Sequence, residues 1–152
     1  MFNYKLTIQY DGTRYAGWQI QNNAVTVQEV ISNSITQILQ EEINLIGSGR
    51  TDSGVHALGQ VANFKFAKEL DLFKFRYSLN SVLPDDVAVT EIEQVDENFH
   101  ARFSAKRRIY FYLISNQKSP FYNRYTYTLF SDFNLEKLNS LSTGLLGEYD
   151  FS

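Results

Sequence analysis

The sequence predicts an α+β fold in which an antiparallel or mixed sheet carries its helices on one face. Three observations lead there. Apolar residues fall on alternate positions near the start of the chain and again further along, capped runs of helical periodicity lie between them, and the two kinds of segment interleave in an order close to βαββαβ.

In chain order, Tyr4, Leu6, Ile8 and Tyr10 occupy every second position, which is the period of a half-buried strand, and Asp11-Gly12 ends it. Thr26-Val27-Gln28-Glu29 has the form of a capping box, and Val27, Val30, Ile31, Ile35, Ile38 and Leu39 follow at helical spacing, so a helix is expected over 26–41. Ile43 to Ile46 reads as a second strand and Gln60 to Phe66 as a third, which leaves 47–56 as a loop between strands. A second helix is expected over 71–82 with Asp71 as its cap. Leu83-Pro84-Asp85-Asp86 stops it before a strand from Val87 to Ile92. Arg107 to Ser115 alternates again, but Ile109, Phe111 and Leu113 on one side and Tyr110, Tyr112 and Ile114 on the other are nearly all apolar. A central strand covered on both faces is the expectation. After a loop around Pro120 come a short strand near Tyr125 to Phe130 and a helix from about Asn134, carrying Leu135, Leu138, Leu141 and Leu145. With no repeat and no linker, this order describes a ferredoxin-like βαββαβ half-domain.

Composition sets outer limits. A chain of 152 residues has the length of one domain and buries roughly 70% of its unfolded surface. At 43% hydrophobic and 15% aromatic residues, disorder is excluded. The absence of cysteine removes disulfides, zinc–thiolate sites and thiol nucleophiles, and suits a reducing cytoplasm. His56 and His100, the only histidines, are too far apart in sequence to form a helical metal-binding pair, so no metal is expected. No run approaches the length of a signal peptide or membrane span. The net charge of -3 argues against nucleic acid when taken alone. Local charge argues otherwise: Arg102, Lys106, Arg107 and Arg108 crowd together beside Tyr110 and Tyr112. That cluster reads either as one wall of an RNA cleft or as a solvated strand edge guarded by charge.

Chemistry concentrates in Gly47-Ser48-Gly49-Arg50-Thr51-Asp52-Ser53-Gly54-Val55-His56. Turn formation explains the glycines. Arg50, two residues before Asp52, is a cation that can hold a carboxylate ionised, and an ionised aspartate in a dry pocket can attack an electron-poor carbon. A turn or cap role for Asp52 is the competing reading.

The stretch from Gly49 to Val61 resembles the signature of the TruA-type tRNA pseudouridine synthases, and further motifs follow in that family's order. These are Tyr10-Asp11-Gly12-Thr13 with Gly17-Trp18-Gln19 and Thr26-Val27-Gln28, Asn80 with Leu83-Pro84, Phe99-His100-Ala101-Arg102-Phe103-Ser104-Ala105, and Leu145-Leu146-Gly147-Glu148-Tyr149-Asp150-Phe151. The resemblance implies an N-terminal, aspartate-bearing half of the pseudouridine synthase fold over residues 1–152, with a second half beyond Ser152 absent. It implies that Asp52 is the nucleophile, that Arg50 helps extrude the target nucleotide and fills its space, and that Tyr110 stacks on or hydrogen-bonds the flipped uracil. It also implies RNA backbone contact by Arg102, Lys106, Arg107 and Arg108. No cofactor is implied, the partner is the anticodon arm of tRNA, and the assembly is a homodimer in the cytoplasm. The alternative is a truncated, non-catalytic RNA-binding module of the same fold. His56 and His100 take hydrogen-bonded structural roles in this reading, and Trp18 anchors the core or a loop.

Overall fold

A computed structural model describes residues 1–131 and 133–150. The chain divides into two compact units, Met1–Arg108 and Ile109–Ser152.

The first unit is built on strand β1, Phe2–Tyr10, whose alternating residues Tyr4, Leu6 and Ile8 are fully buried on one face. Helix α1, Val27–Leu39, presents Val27, Ile31 and Ile35 to that face at four-residue intervals. The expected capping box is present, with Thr26 and Glu29 each bonding the other's main chain, and the helix ends where Gln40 turns left-handed at φ 53°. Strand β3, Ala57–Phe66, adds Ala62, Phe64 and Phe66 to the same core. Helix α2, Leu72–Val82, capped by Asp71, adds Phe75 and Leu79, and strand β4, Val87–Val95, adds Val87, Val89 and Ile92. Together with the short strand β2, Ile46–Gly47, the strands lie in the order β2-β3-β1-β4, and every pairing is antiparallel. This is the ferredoxin-like βαββαβ arrangement, with both helices contributing to one core on one face.

On the opposite face of the sheet two buried amides fix the chain that follows β4. Asn3 donates to the carbonyls of Asp96 and Phe99, each at 2.9 Å, while Asn63 donates to Asn3 and accepts from the Ala101 amide at 2.8 Å. Residues 96–104 are thereby strapped across the back of β1 and β3. Ala101 is buried there.

The second unit holds a two-stranded parallel pairing of β5, Ile114–Ser115, with β6, Tyr127–Thr128, followed by helix α3, Leu135–Ser142, capped by Asn134 as expected. Phe151 of the last resembling motif, and Ser152, lie outside the described residues.

Three expectations change. The strand expected over Ile43 to Ile46 shrinks to Ile46–Gly47 because only Ile46 and Gly47 pair with β3. The central strand expected over Arg107 to Ser115 shrinks to Ile114–Ser115, and Ile109, Tyr110, Phe111, Tyr112 and Leu113 are exposed. Alternation encodes which side chains want cover but supplies no neighbouring strand, and among the described residues the ladder here reaches only Ile114 and Ser115. For the same reason the strand expected near Tyr125 to Phe130 is reduced to Tyr127–Thr128.

Candidate active site

The loop between β2 and β3 leaves the sheet at Ser48, whose amide makes a last ladder-like bond to Val61 at 2.7 Å. Beyond that point carbonyls hold it. The Ser48 carbonyl accepts from the Arg108 guanidinium at 2.7 Å and that of Gly49 from the Gln60 side chain at 2.7 Å; the Thr51 carbonyl accepts from the Trp18 amide at 3.0 Å and that of Asp52 from the Val55 amide at 3.2 Å. The N–H groups of Gly49, Arg50, Thr51 and Asp52 donate to no partner among the described residues. The main chain is therefore fixed, while the donors in its middle are uncommitted.

A second loop, following β1, locks into the first. Asp11 starts a 3-10 turn over Gly12–Arg14, and Tyr15 contributes its carbonyl to the Gly54 amide at 3.3 Å and the Ser53 hydroxyl at 3.2 Å. The approach is too close for side chains. A Cβ on Gly12 would fall 2.0 Å from the Val55 carbonyl oxygen, and one on Gly17, whose φ is +87°, would fall 2.4 Å from that of Thr51. The buried Trp18 ring covers Gly47 and stands 6.2 Å from the Tyr10 ring, so it is a structural anchor. The Tyr10 hydroxyl meets the Thr51 hydroxyl at 2.8 Å, and burial raises the Tyr10 pKa more than this bond lowers it. Tyr15 donates to Asp86 at 2.6 Å, and Asp86 also binds Arg14 at 2.6 Å. Burial, then the Asp86 carboxylate, pushes the Tyr15 hydroxyl pKa well up.

His56 closes the loop. Its Nδ1 lies 3.1 Å from the Gly12 amide and 3.1 Å from an Asp11 oxygen, and one nitrogen cannot accept from the first while donating to the second. Neutral, it accepts from Gly12; the ion pair with Asp11 belongs to the imidazolium. His100 is engaged locally as well, accepting from the Arg102 amide at 3.3 Å with its ring 4.4 Å from that of Phe103.

Asp52 and Arg50 sit together on the pinned loop with both side chains exposed, and neither takes part in an ion pair among the described residues. The expected clamp of Arg50 on Asp52 and the expected dry pocket are not formed by this unit. The physical reason is that every bond fixing this stretch runs through its main chain or through Thr51, which leaves the flanking side chains directed by nothing but solvent. Tyr110 belongs to the second unit, where it is 70% exposed. The basic cluster divides into separate roles. Arg102 lies over the Phe103 ring at 5.8 Å, Arg108 binds the Ser48 carbonyl, and Lys106 and Arg107 are exposed without hydrogen bond or ion pair among the described residues. Gln60, Asn3 and Asn63 were not singled out by sequence. No local pattern marks them, since Gln9 and Gln94 are neutral amides in the same sheet. Among the described residues no group of three His, Asp or Glu side chains could hold a metal ion, and no helix is long and apolar enough to cross a membrane.

The βαββαβ sheet with its two interlocked loops defines the class: an α+β half-domain of the pseudouridine synthase fold. Comparison gives the family. The family described as tRNA pseudouridine synthase matches residues 6–104, which take in both loops and the strapped segment, and the chain belongs to that family. It is 48% identical to the tRNA pseudouridine synthase A of Thermoanaerobacter sp. (strain X514), 47% identical to that of Caldicellulosiruptor saccharolyticus, and 42% identical to the tRNA pseudouridine synthase A 2 of Bacillus cereus (strain ATCC 14579). Each comparison covers all of this chain and 63% of the relative. The chain thus spans somewhat under two thirds of the length of the curated relatives it matches.

Proposed function

We propose that this chain is the aspartate-bearing part of a tRNA pseudouridine synthase acting on the anticodon arm, with Asp52 as nucleophile. The observation that carries the reading is the loop itself: four successive residues, Gly49 to Asp52, are held through their neighbours and carbonyls, while their N–H groups have no protein partner among the described residues and the Arg50 and Asp52 side chains are exposed. Asp52 attacks the uridine at the base or at the anomeric carbon, the N1–C1′ bond breaks, the uracil rotates, and C5 bonds to C1′; the bond to Asp52 breaks in turn, releasing the carboxylate, while C5 gives up a proton and N1 gains one. The atoms balance within one substrate, so no cofactor is required. Arg50 occupies the space of the extruded nucleotide, and Tyr110 holds the flipped base. Arg102, Lys106 and Arg107 contact the RNA backbone. The protein works in the cytoplasm as a homodimer.

A second reading, an RNA-binding module without turnover, has one observation in its favour: Asp52 is exposed and unpaired with Arg50. One assay separates them. Pseudouridine formation releases tritium from tRNA labelled at C5 of uridine, and Asp52→Asn abolishes that release while leaving tRNA binding intact. Binding by the wild-type chain without release sinks the catalytic reading.

A further inference from the structure

We propose that Arg108 is a positioning residue for the Asp52 loop, acting together with Gln60, and that it is not a phosphate contact. This rests on the reading of Asp52 as nucleophile. Four groups of the basic cluster share a short stretch of sequence, but the structure gives them different work. Only Arg108 turns inward, donating to the Ser48 carbonyl at 2.7 Å, with its Nε 3.2 Å from the point where a Gly49 Cβ would stand. A side chain at position 49 would crowd the guanidinium, so the glycine leaves room for it. From β3, Gln60 reaches the next carbonyl, Gly49, at 2.7 Å, and its Oε1 lies 3.0 Å from the Ser48 hydroxyl.

The location explains the need. At Ser48 the β2–β3 ladder runs out, since the Ser48 amide makes its final bond to Val61. The next two carbonyls, those of Ser48 and Gly49, accept from no main-chain amide among the described residues. Arg108 and Gln60 satisfy them one each, which fixes the direction in which the chain departs toward Asp52, four residues after Ser48. Gln60 stands beside the extra residue that β3 carries between Ala57 and Gln60, a bulge that re-aims the strand at the loop's other end. The loop's entry is therefore set by two side chains where the ladder ends, and its exit by a bulge in β3. A rigid support outside the reacting atoms is what a nucleophile needs, because a displacement of about 1 Å can cost on the order of 100-fold in rate.

The test compares Arg108→Ala with Gln60→Ala, which removes the neighbouring bond without changing charge. We expect both to lower the single-turnover rate of tritium release by about 10- to 100-fold, and to speed hydrogen exchange at the bonded amides of Ser48, Trp18, Gly54 and Val55. The affinity for tRNA and its salt dependence stay as in the wild type. A phosphate contact has another signature: Arg108→Ala alone would weaken tRNA binding and reduce the salt slope by about one, with loop exchange unchanged, and that result overturns the proposal. Since Arg108 is exposed, its replacement leaves the core intact. Wild-type and Asp52→Asn enzymes run alongside. Absence of release from the wild type defeats the proposed activity, while the exchange measurement still decides whether Arg108 holds the loop.

Discussion

At the scale of single residues, the structure separates side chains that hold the fold from those it leaves exposed and unbonded. Asp52 is exposed and bonded only through its main chain, so Asp52→Asn should leave the unfolding free energy within about 0.5 kcal/mol of wild type while removing the activity proposed for it. A thermal melt beside the tritium assay checks this, and a large loss of stability would mean the carboxylate is structural. Gly17 behaves in the opposite way. Its φ of +87° and the 2.4 Å approach of a Cβ to the Thr51 oxygen mean that Gly17→Ala strains the main chain and pushes the two loops apart. We expect it to cost roughly 1–3 kcal/mol by denaturant titration and to depress activity without touching a reacting group. Residue types alone left Asp52 open to a turn or cap role, and it was the resemblance of the stretch from Gly49 to Val61 to a family signature that singled out Asp52 and Arg50. The sequence did not make the Gly17–Thr51 approach or the Arg108–Ser48 bond legible, because both join segments far apart in the chain and depend on distances that no local pattern encodes.

At the scale of elements, legibility followed the source of each element's stability. The helices α1, α2 and α3 were readable because each carries its own cap, Thr26, Asp71 or Asn134, and its hydrogen bonds are internal. Strands β1, β3 and β4 were readable because their alternation coincides with one buried face. The expected strand through Ile109 to Leu113 failed on the same logic, since a strand's bonds go to a neighbour that the segment itself does not contain. The back of the sheet was the least legible part, for it is held by two amides. Asn63 bridges Asn3 and the Ala101 amide, and Asn63→Ala strands both partners in a buried setting. At roughly 1–3 kcal/mol for each unsatisfied group, the predicted loss is several times that of deleting the Thr26 cap, about 1 kcal/mol. Amide exchange should show residues 96–104 released before the strands. Equal stability losses in the two variants would argue that the strap is dispensable.

At the scale of the whole molecule, the buried hydrophobic core lies, among the described residues, within Met1–Arg108, and it includes the phenols of Tyr4, Tyr10 and Tyr15. These three set the alkaline limit of the fold. Tyr4 accepts from the Leu70 amide at 2.9 Å and donates to the Lys68 carbonyl at 3.1 Å, Tyr10 meets Thr51, and Tyr15 donates to Asp86. In each case burial is the leading cause that raises the pKa above the ordinary 10.0, because the phenolate is the charged form and loses its hydration inside the protein. The sign follows. A folded-state pKa above the unfolded value means that this contribution to stability is complete below about pH 10 and is lost as pH rises through the raised values. Tyr4, Tyr10 and Tyr15 should ionise only as the far-ultraviolet circular dichroism collapses, which a joint phenolate absorbance and dichroism titration of the wild type and the corresponding Tyr→Phe variants would show. Ionisation of these three near pH 10 with dichroism intact would contradict it. Because Tyr10 touches Thr51 and the Tyr15 carbonyl holds Ser53 and Gly54, the same ionisation dismantles the Asp52 loop. Loss of the proposed activity at high pH should therefore coincide with the collapse of the dichroism.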